Sequence, residues 1–285
     1  MKKLLLGATL VAASVFGLTG TAQAATKSSS PYLPDTSKPG ETQYVRLKKT
    51  MDVGFTQKTN GHYKKLLKKK GSLLEVMGIN RNEVNGEYVP TVALTSGAVH
   101  YNRAKKLKYS TMDNMHAKLI PYTKANFTPV KLKAPDRTLL FQSGTGFKLN
   151  PKKDGLVTTP AFYLTLDNYL QYYSASDLVK VAPSGLYKDV RGMNVWKPTA
   201  SVKVSKVTVK GRTTTVDYKK PLKGMPNKKI SKGHYRLKIV HNTKKHHATF
   251  FPDGYTEEAT WTTYKVNGKS YYVGESIEVK DYLDE

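Results

Sequence analysis

HYKKLLKKKGSLLEVMGINRNEVNGEYVPTVALTSGAVHY, residues His62 to Tyr101, is the stretch on which the fold class turns. A basic run, Lys64 to Lys70, stops at Gly71, and the apolar run Leu73-Leu74-Glu75-Val76-Met77 follows. Asn85-Gly86 then separates it from Tyr88-Val89-Pro90-Thr91-Val92-Ala93-Leu94. Asn-Gly between apolar runs marks a β-hairpin, because both turn residues tolerate positive φ. A polar loop is expected from Asn80 up to the turn. The whole reads as a small curled β-module with a lysine fringe.

Similar plans recur downstream. Ala161 to Leu166, the turn Asp167-Asn168, and Tyr169-Leu170-Gln171-Tyr172-Tyr173 read as a second hairpin. Val202, Val204, Val207 and Val209 alternate with polar residues, and the odd step from Val204 to Val207 predicts a bulge. Tyr235, Leu237 and Ile239 alternate with Arg236 and Lys238. Trp261 to Val266, Asn267-Gly268 and Ser270 to Val273 form the clearest hairpin of all. Helical periodicity is nearly absent, with single turns expected at Tyr63–Leu67 and Thr111–Leu119. Short strands and frequent turns predict a mainly β chain built from two or three small SH3-like barrel or sandwich modules.

The N-terminus, Met1-Lys2-Lys3 before an apolar run to Leu18 and Ala22-Gln23-Ala24, has the layout of a secretory signal cleaved after Ala24. Residues 25–43 are rich in Ser, Thr and Pro and read as a flexible linker. Three β regions are expected after it, at 44–108, 109–181 and 182–285. Cysteine is absent, so disulfides are excluded, as are a lipid-bearing cysteine and a thiol nucleophile. No LPxTG motif and no second apolar span is present, so any attachment to the cell surface is expected to be non-covalent.

Charge narrows the partner. Lys and Arg number 47 against 21 Asp and Glu, and the formal net charge is +26. Arg supplies only seven of the basic residues. Lysine is a hydrated point charge, whereas arginine offers a planar fork, so this balance suits a repeating polyanion rather than base-specific nucleic-acid contacts. The expected polyanion-binding residues are Lys64, Lys65, Lys68, Lys69 and Lys70, with Lys219, Lys220, Lys223, Lys228, Lys229 and Lys232 as a second set. Residues 246–285 reverse the sign, with 8 acidic and 3 basic residues, and are read as neutralising the neighbouring basic face. Tyr172, Tyr173, Tyr271 and Tyr272 are candidates for stacking on sugar rings, although strand alternation turns one of each pair inward.

Three sets of segments carry a family resemblance: Leu67 to Val76 with Val84 to Tyr88, Tyr163 to Leu170 with Ser174 to Leu178, and Val266 to Val273 with Val279 to Leu283. Together they resemble the surface-layer-protein wall-binding modules of Gram-positive bacteria. That resemblance implies small SH3-like modules and attachment to cell-wall polymers, teichoic acid or peptidoglycan. The expected protein is secreted, wall-associated and non-enzymatic, with no cofactor and no metal. Its His241, His246 and His247 are read as solvated loop residues. An adhesin for a host glycan or matrix protein is the alternative, and a wall-active hydrolase is another. GxSxG and SxxK are missing, and Asp113, Asp136, Asp154, Asp167 and Asp177 show no paired spacing.

Overall fold

The computed structural model describes residues 30–36, 42–109, 118–150, 155–181, 196–251 and 256–279. All strands and helices of the described residues lie in the unit Tyr32–Glu285. The signal segment and most of the linker fall outside the described residues, as does the turn expected at Thr111.

The first lobe contains β1 (Gln43–Leu47), β2 (Met51–Thr59), β3 (His62–Lys68), β4 (Leu73–Val84), β5 (Glu87–Thr95), α1 (Tyr101–Ala104), β6 (Leu107–Tyr109), β7 (Ile120–Pro121) and β8 (Phe127–Val130). A five-stranded sheet, β7-β5-β4-β1-β8, faces a three-stranded sheet, β3-β2-β6. Val45, Leu47, Leu74 and Leu94 from the first sheet pack on Val53 and Phe55 from the second, which makes a small sandwich. Asn85 and Gly86 both have positive φ and set Val84 opposite Glu87, a two-residue hairpin of the expected kind. The expected loop from Asn80 is instead the end of β4, since Asn80 to Val84 stay paired with Thr91 to Glu87. Likewise Tyr63–Leu67 is strand rather than helical turn. Asn60-Gly61, also at positive φ, turns Thr59 back onto His62 and extends β3 as a lysine-bearing edge.

The second lobe contains β9 (Phe141–Ser143), β10 (Ala161–Leu164), β11 (Tyr169–Tyr173), α2 (Ala175–Val181), β12 (Ala200–Lys210), β13 (Thr213–Tyr218), β14 (Lys228–Ser231), β15 (His234–Phe250), β16 (Thr256–Val266) and β17 (Lys269–Val279). Neighbouring strands run antiparallel in the ring β9-β10-β11-β12-β13-β15-β16-β17, and β17 returns to β9. This is a closed eight-stranded meander, with β14 laid against the start of β15. Inward residues on alternate positions, among them Phe162, Leu170, Val216, Leu237 and Val266, fill its interior. The bulge in β12 falls between Val204 and Lys206, within the step that the valine spacing marks.

The chain is mainly β. Its sheets cross both expected divisions: β7 and β8 pair back onto β5 and β1, and β12 pairs with β11. The strands therefore do not separate into small SH3-like modules, because the larger barrel draws its ring from both sides of residue 181. The lobes are joined by Ala98, which packs with Leu140, Tyr163 and Tyr173, and by backbone bonds from His100 to Asp167 Oδ1 and from Tyr101 to Gln171 Oε1. Among the described residues, no helix is long and apolar enough to cross a membrane.

Candidate functional site: a basic cleft on the barrel wall

Alternation along β15 builds the site. Tyr235, Leu237 and Ile239 turn into the barrel core, which leaves Arg236, Lys238 and Val240 on the outer wall. Lys228 of β14 is the register partner of Arg236, and Lys265 of β16 is the partner of Val240. The four cations surround a cleft of about 490 Å3 whose remaining lining includes Thr215, Ile230 and Asn267. Among the described residues no carboxylate lines it.

Arg236 and Lys265 are partly committed. Arg236 donates from Nε and Nη2 to the two oxygens of Asp217 at 2.7 and 2.9 Å. That fork holds the Asp217 carboxyl below its ordinary range, against the opposing effect of burial, and Lys206 and His234 add to it. Lys265 Nζ donates to Ser270 Oγ at 2.8 Å. Lys228 and Lys238 are exposed and enter no salt bridge among the described residues. Asp217 offsets the charge of Arg236, which lies directly across the ladder from Lys228.

Of the lysines expected from sequence, Lys228 alone enters this cleft. Lys219, Lys220 and Lys223 sit exposed in the loop after β13, Lys229 alternates with Lys228 on β14, and Lys232 lies in the turn before β15. Arg236, Lys238 and Lys265 were missed, although the alternation around Tyr235, Leu237 and Ile239 already put two of them on a polar face. In the first set, Lys64, Lys65, Lys69 and Lys70 are exposed, and Lys65 bridges Asp52 at 3.3 Å. Lys68 is a correction. It is only 7% exposed, with Nζ 5.3 Å from the Phe55 ring centre, because β3 turns Leu66 and Lys68 to the same inner face. Burial pushes its ammonium below the usual lysine range, and Arg103 adds to that.

The four tyrosines are a second correction. Tyr172 and Tyr271 point into the barrel core, as alternation requires of one member per pair. Their neighbours turn outward but are covered as well: Tyr173 lies with Leu178 and Trp196, and Tyr272 under Phe147 at 4.9 Å between ring centres. None is more than 7% exposed, so no ring face is open to a sugar. Burial raises Tyr271 to about 12, which keeps its phenol neutral.

The expected histidine loop is part of β15, with a bulge between His241 and Lys245. His241 stacks on Tyr264 and His246 on Trp261, while His247 lies 3.9 Å from Glu258. Among the described residues, no three His, Asp or Glu side chains group as metal ligands. Glu257 and Glu258 open β16 at the end opposite Lys265, seven or eight residues away, so about 25 Å of strand separates the acidic end from the cleft. The chain matches no family model, no curated protein and no solved structure.

Proposed function

We propose that this chain is a secreted binding protein that attaches non-covalently to anionic cell-wall polymers through the basic wall of its barrel. The supporting observation is the grouping of exposed Lys228 and Lys238 beside Lys265 and Arg236, with no carboxylate among the described residues that line the cleft. Lys228 and Lys238 are exposed and enter no salt bridge among the described residues, so a polyanion laid across them is attracted by their charge and releases counterions. Lysines provide point charges without a fixed hydrogen-bond fork, and the one arginine present spends its fork on Asp217. Such a surface favours repeated phosphates or carboxylates, as in teichoic acid or a peptidoglycan decorated with it. The exposed Lys69 and Lys70 of the first lobe extend the attraction.

Co-sedimentation with purified walls, before and after removal of teichoic acid, tests this reading. Binding should fall steeply as salt rises, since the Debye length shrinks from about 10 Å at 0.1 M to about 3 Å at 1 M. The double variant Lys228→Glu/Lys238→Glu should lose most binding while keeping its circular dichroism spectrum. Binding that persists at 1 M salt in this variant would show that the cleft is not the attachment site.

A further inference from the structure

A second cavity, of about 320 Å3, opens where the sandwich meets the barrel. Gln57 of β2 and the segment 100–106 around α1 line it from the first lobe. Asp167 and Tyr169, at the turn into β11, line it from the second. Its volume is at the small end of the range for ligand sites.

Backbone bonds fix these walls. The His100 N–H donates to Asp167 Oδ1 at 2.8 Å. The His100 carbonyl accepts from Arg103 N and Ala104 N, which closes α1 over the buried Ala104. Lys106 O accepts from Lys58 N at 2.8 Å, so the end of the segment is tied to β2. Within this frame the His100 imidazole stacks on the Tyr169 ring, 4.1 Å between centres and 24° between planes. Burial holds that imidazole below its usual range; Asp167 opposes this and Lys105 adds to it. The stacked pair is thus an uncharged aromatic platform at neutral pH.

Planar polar groups converge around that platform, and most of their capacity is uncommitted. The side-chain amides of Gln57 and Asn102 make no hydrogen bond among the described residues. Arg103 Nη1 stands 3.8 Å from Asp167 Oδ2, which is an ion pair but too long for a hydrogen bond. The guanidinium donors and Oδ2 therefore both remain available. Donors alone would suit an anion, but this set also offers acceptors, and Asp167 repels a second carboxylate. Adjacent hydroxyls, each a donor and an acceptor, match amide, guanidinium and carboxylate together.

We propose that the junction cavity binds a neutral pyranose sugar, whose C–H face lies on the Tyr169–His100 pair while neighbouring hydroxyls meet Gln57, Asn102, Arg103 and Asp167. The site is separate from the basic cleft and does not depend on wall attachment. A hexose and an N-acetylhexosamine share this chemistry. NMR titration of the full chain with methyl glucoside, N-acetylglucosamine and glycerol separates the two sources and tests for the ring. At least one sugar should bind with Kd at or below about 5 mM, and glycerol, which has hydroxyls but no ring, about tenfold more weakly or worse. Gln57→Ala and Asn102→Ala should each weaken that sugar about threefold, and together about tenfold, with the circular dichroism spectrum unchanged. The cleft variant Lys228→Glu/Lys238→Glu should bind it unchanged, so failure here is distinct from failure of wall attachment. The proposal is overturned if neither sugar binds at that level, if glycerol binds as tightly, or if the folded Gln57→Ala/Asn102→Ala double variant keeps the parent affinity.

Discussion

Lys68 and Lys69 are neighbours in the sequence, yet one ammonium lies over the Phe55 ring and the other stands in solvent. Lys68→Glu would bring a carboxylate to the electron-rich face of that ring and abandon a cation–π contact. Urea unfolding should show a loss of about 2–3 kcal/mol for Lys68→Glu, whereas Lys69→Glu and Lys70→Glu should stay within about 0.5 kcal/mol. Equal effects for the three would contradict the inward placement. The difference was not legible in a run of lysines and leucines, because composition does not state the phase of a strand. What sets the phase is Asn60-Gly61, the two-residue turn just before the quoted stretch. The tyrosine pairs show the opposite case. Their alternation was legible, but the cover over the outward members comes partly from Phe147 over Tyr272 and from Trp196 beside Tyr173, which are far along the chain from the rings they cover.

Among the elements, hairpin turns with the same dipeptide do different work. Asn85 and Asn267 both precede Gly at positive φ. Asn85 is exposed, whereas the Asn267 side chain accepts from Lys238 N and donates to Pro226 O and Arg236 O, at 2.8, 2.6 and 2.7 Å. It ties the β16–β17 turn to β15 and to the loop before β14. Asn267→Gly keeps the turn geometry and removes these bonds, so thermal unfolding should report a loss of about 2 kcal/mol. Asn85→Gly should cost a few tenths at most, about 0.3 kcal/mol. Strand β2 offers an electrostatic counterpart at Asp52. Burial raises this carboxyl, but Lys118, the Gly54 amide and Lys65 outweigh it and hold it at about 2. Its folded pKa lies below the unfolded value of 3.8, so the stability it contributes is complete above about pH 4 and is lost as pH falls through about 2. Because both lysines are largely exposed, about 1 kcal/mol is at stake. Asp52→Asn should be less stable than the parent by that amount at pH 7 and equal to it near pH 1.5, as measured by urea titration; a constant gap would refute the linkage.

For the whole unit from Tyr32 to Glu285, the lobes share buried residues and hydrogen bonds through Ala98, His100 and Tyr101. Urea unfolding followed by tryptophan fluorescence, which reports Trp196 and Trp261 in the barrel region, should coincide with unfolding followed by hydrogen exchange of β4 and β5. Two separate midpoints would mean that the junction does not couple the lobes. The mainly β character was legible because turn dipeptides and alternation are local signals. Closure of the barrel was not, since it depends on three-residue β9 meeting β17, as Gln142 meets Tyr272 across 130 positions of chain. A span of that length leaves no periodic trace.

That closure also imposes an order on biosynthesis. The ring lacks its final stave until Tyr271 and Tyr272 have left the ribosome and reached Phe141 to Ser143. Until then β9 and β16 each present an unmatched row of backbone amides and carbonyls. The barrel cannot become a finished, protease-resistant object before β17 has been made. A nascent chain thus stays pliable until β17 has emerged, and truncation before Lys269 should yield material that associates edge to edge instead of folding alone.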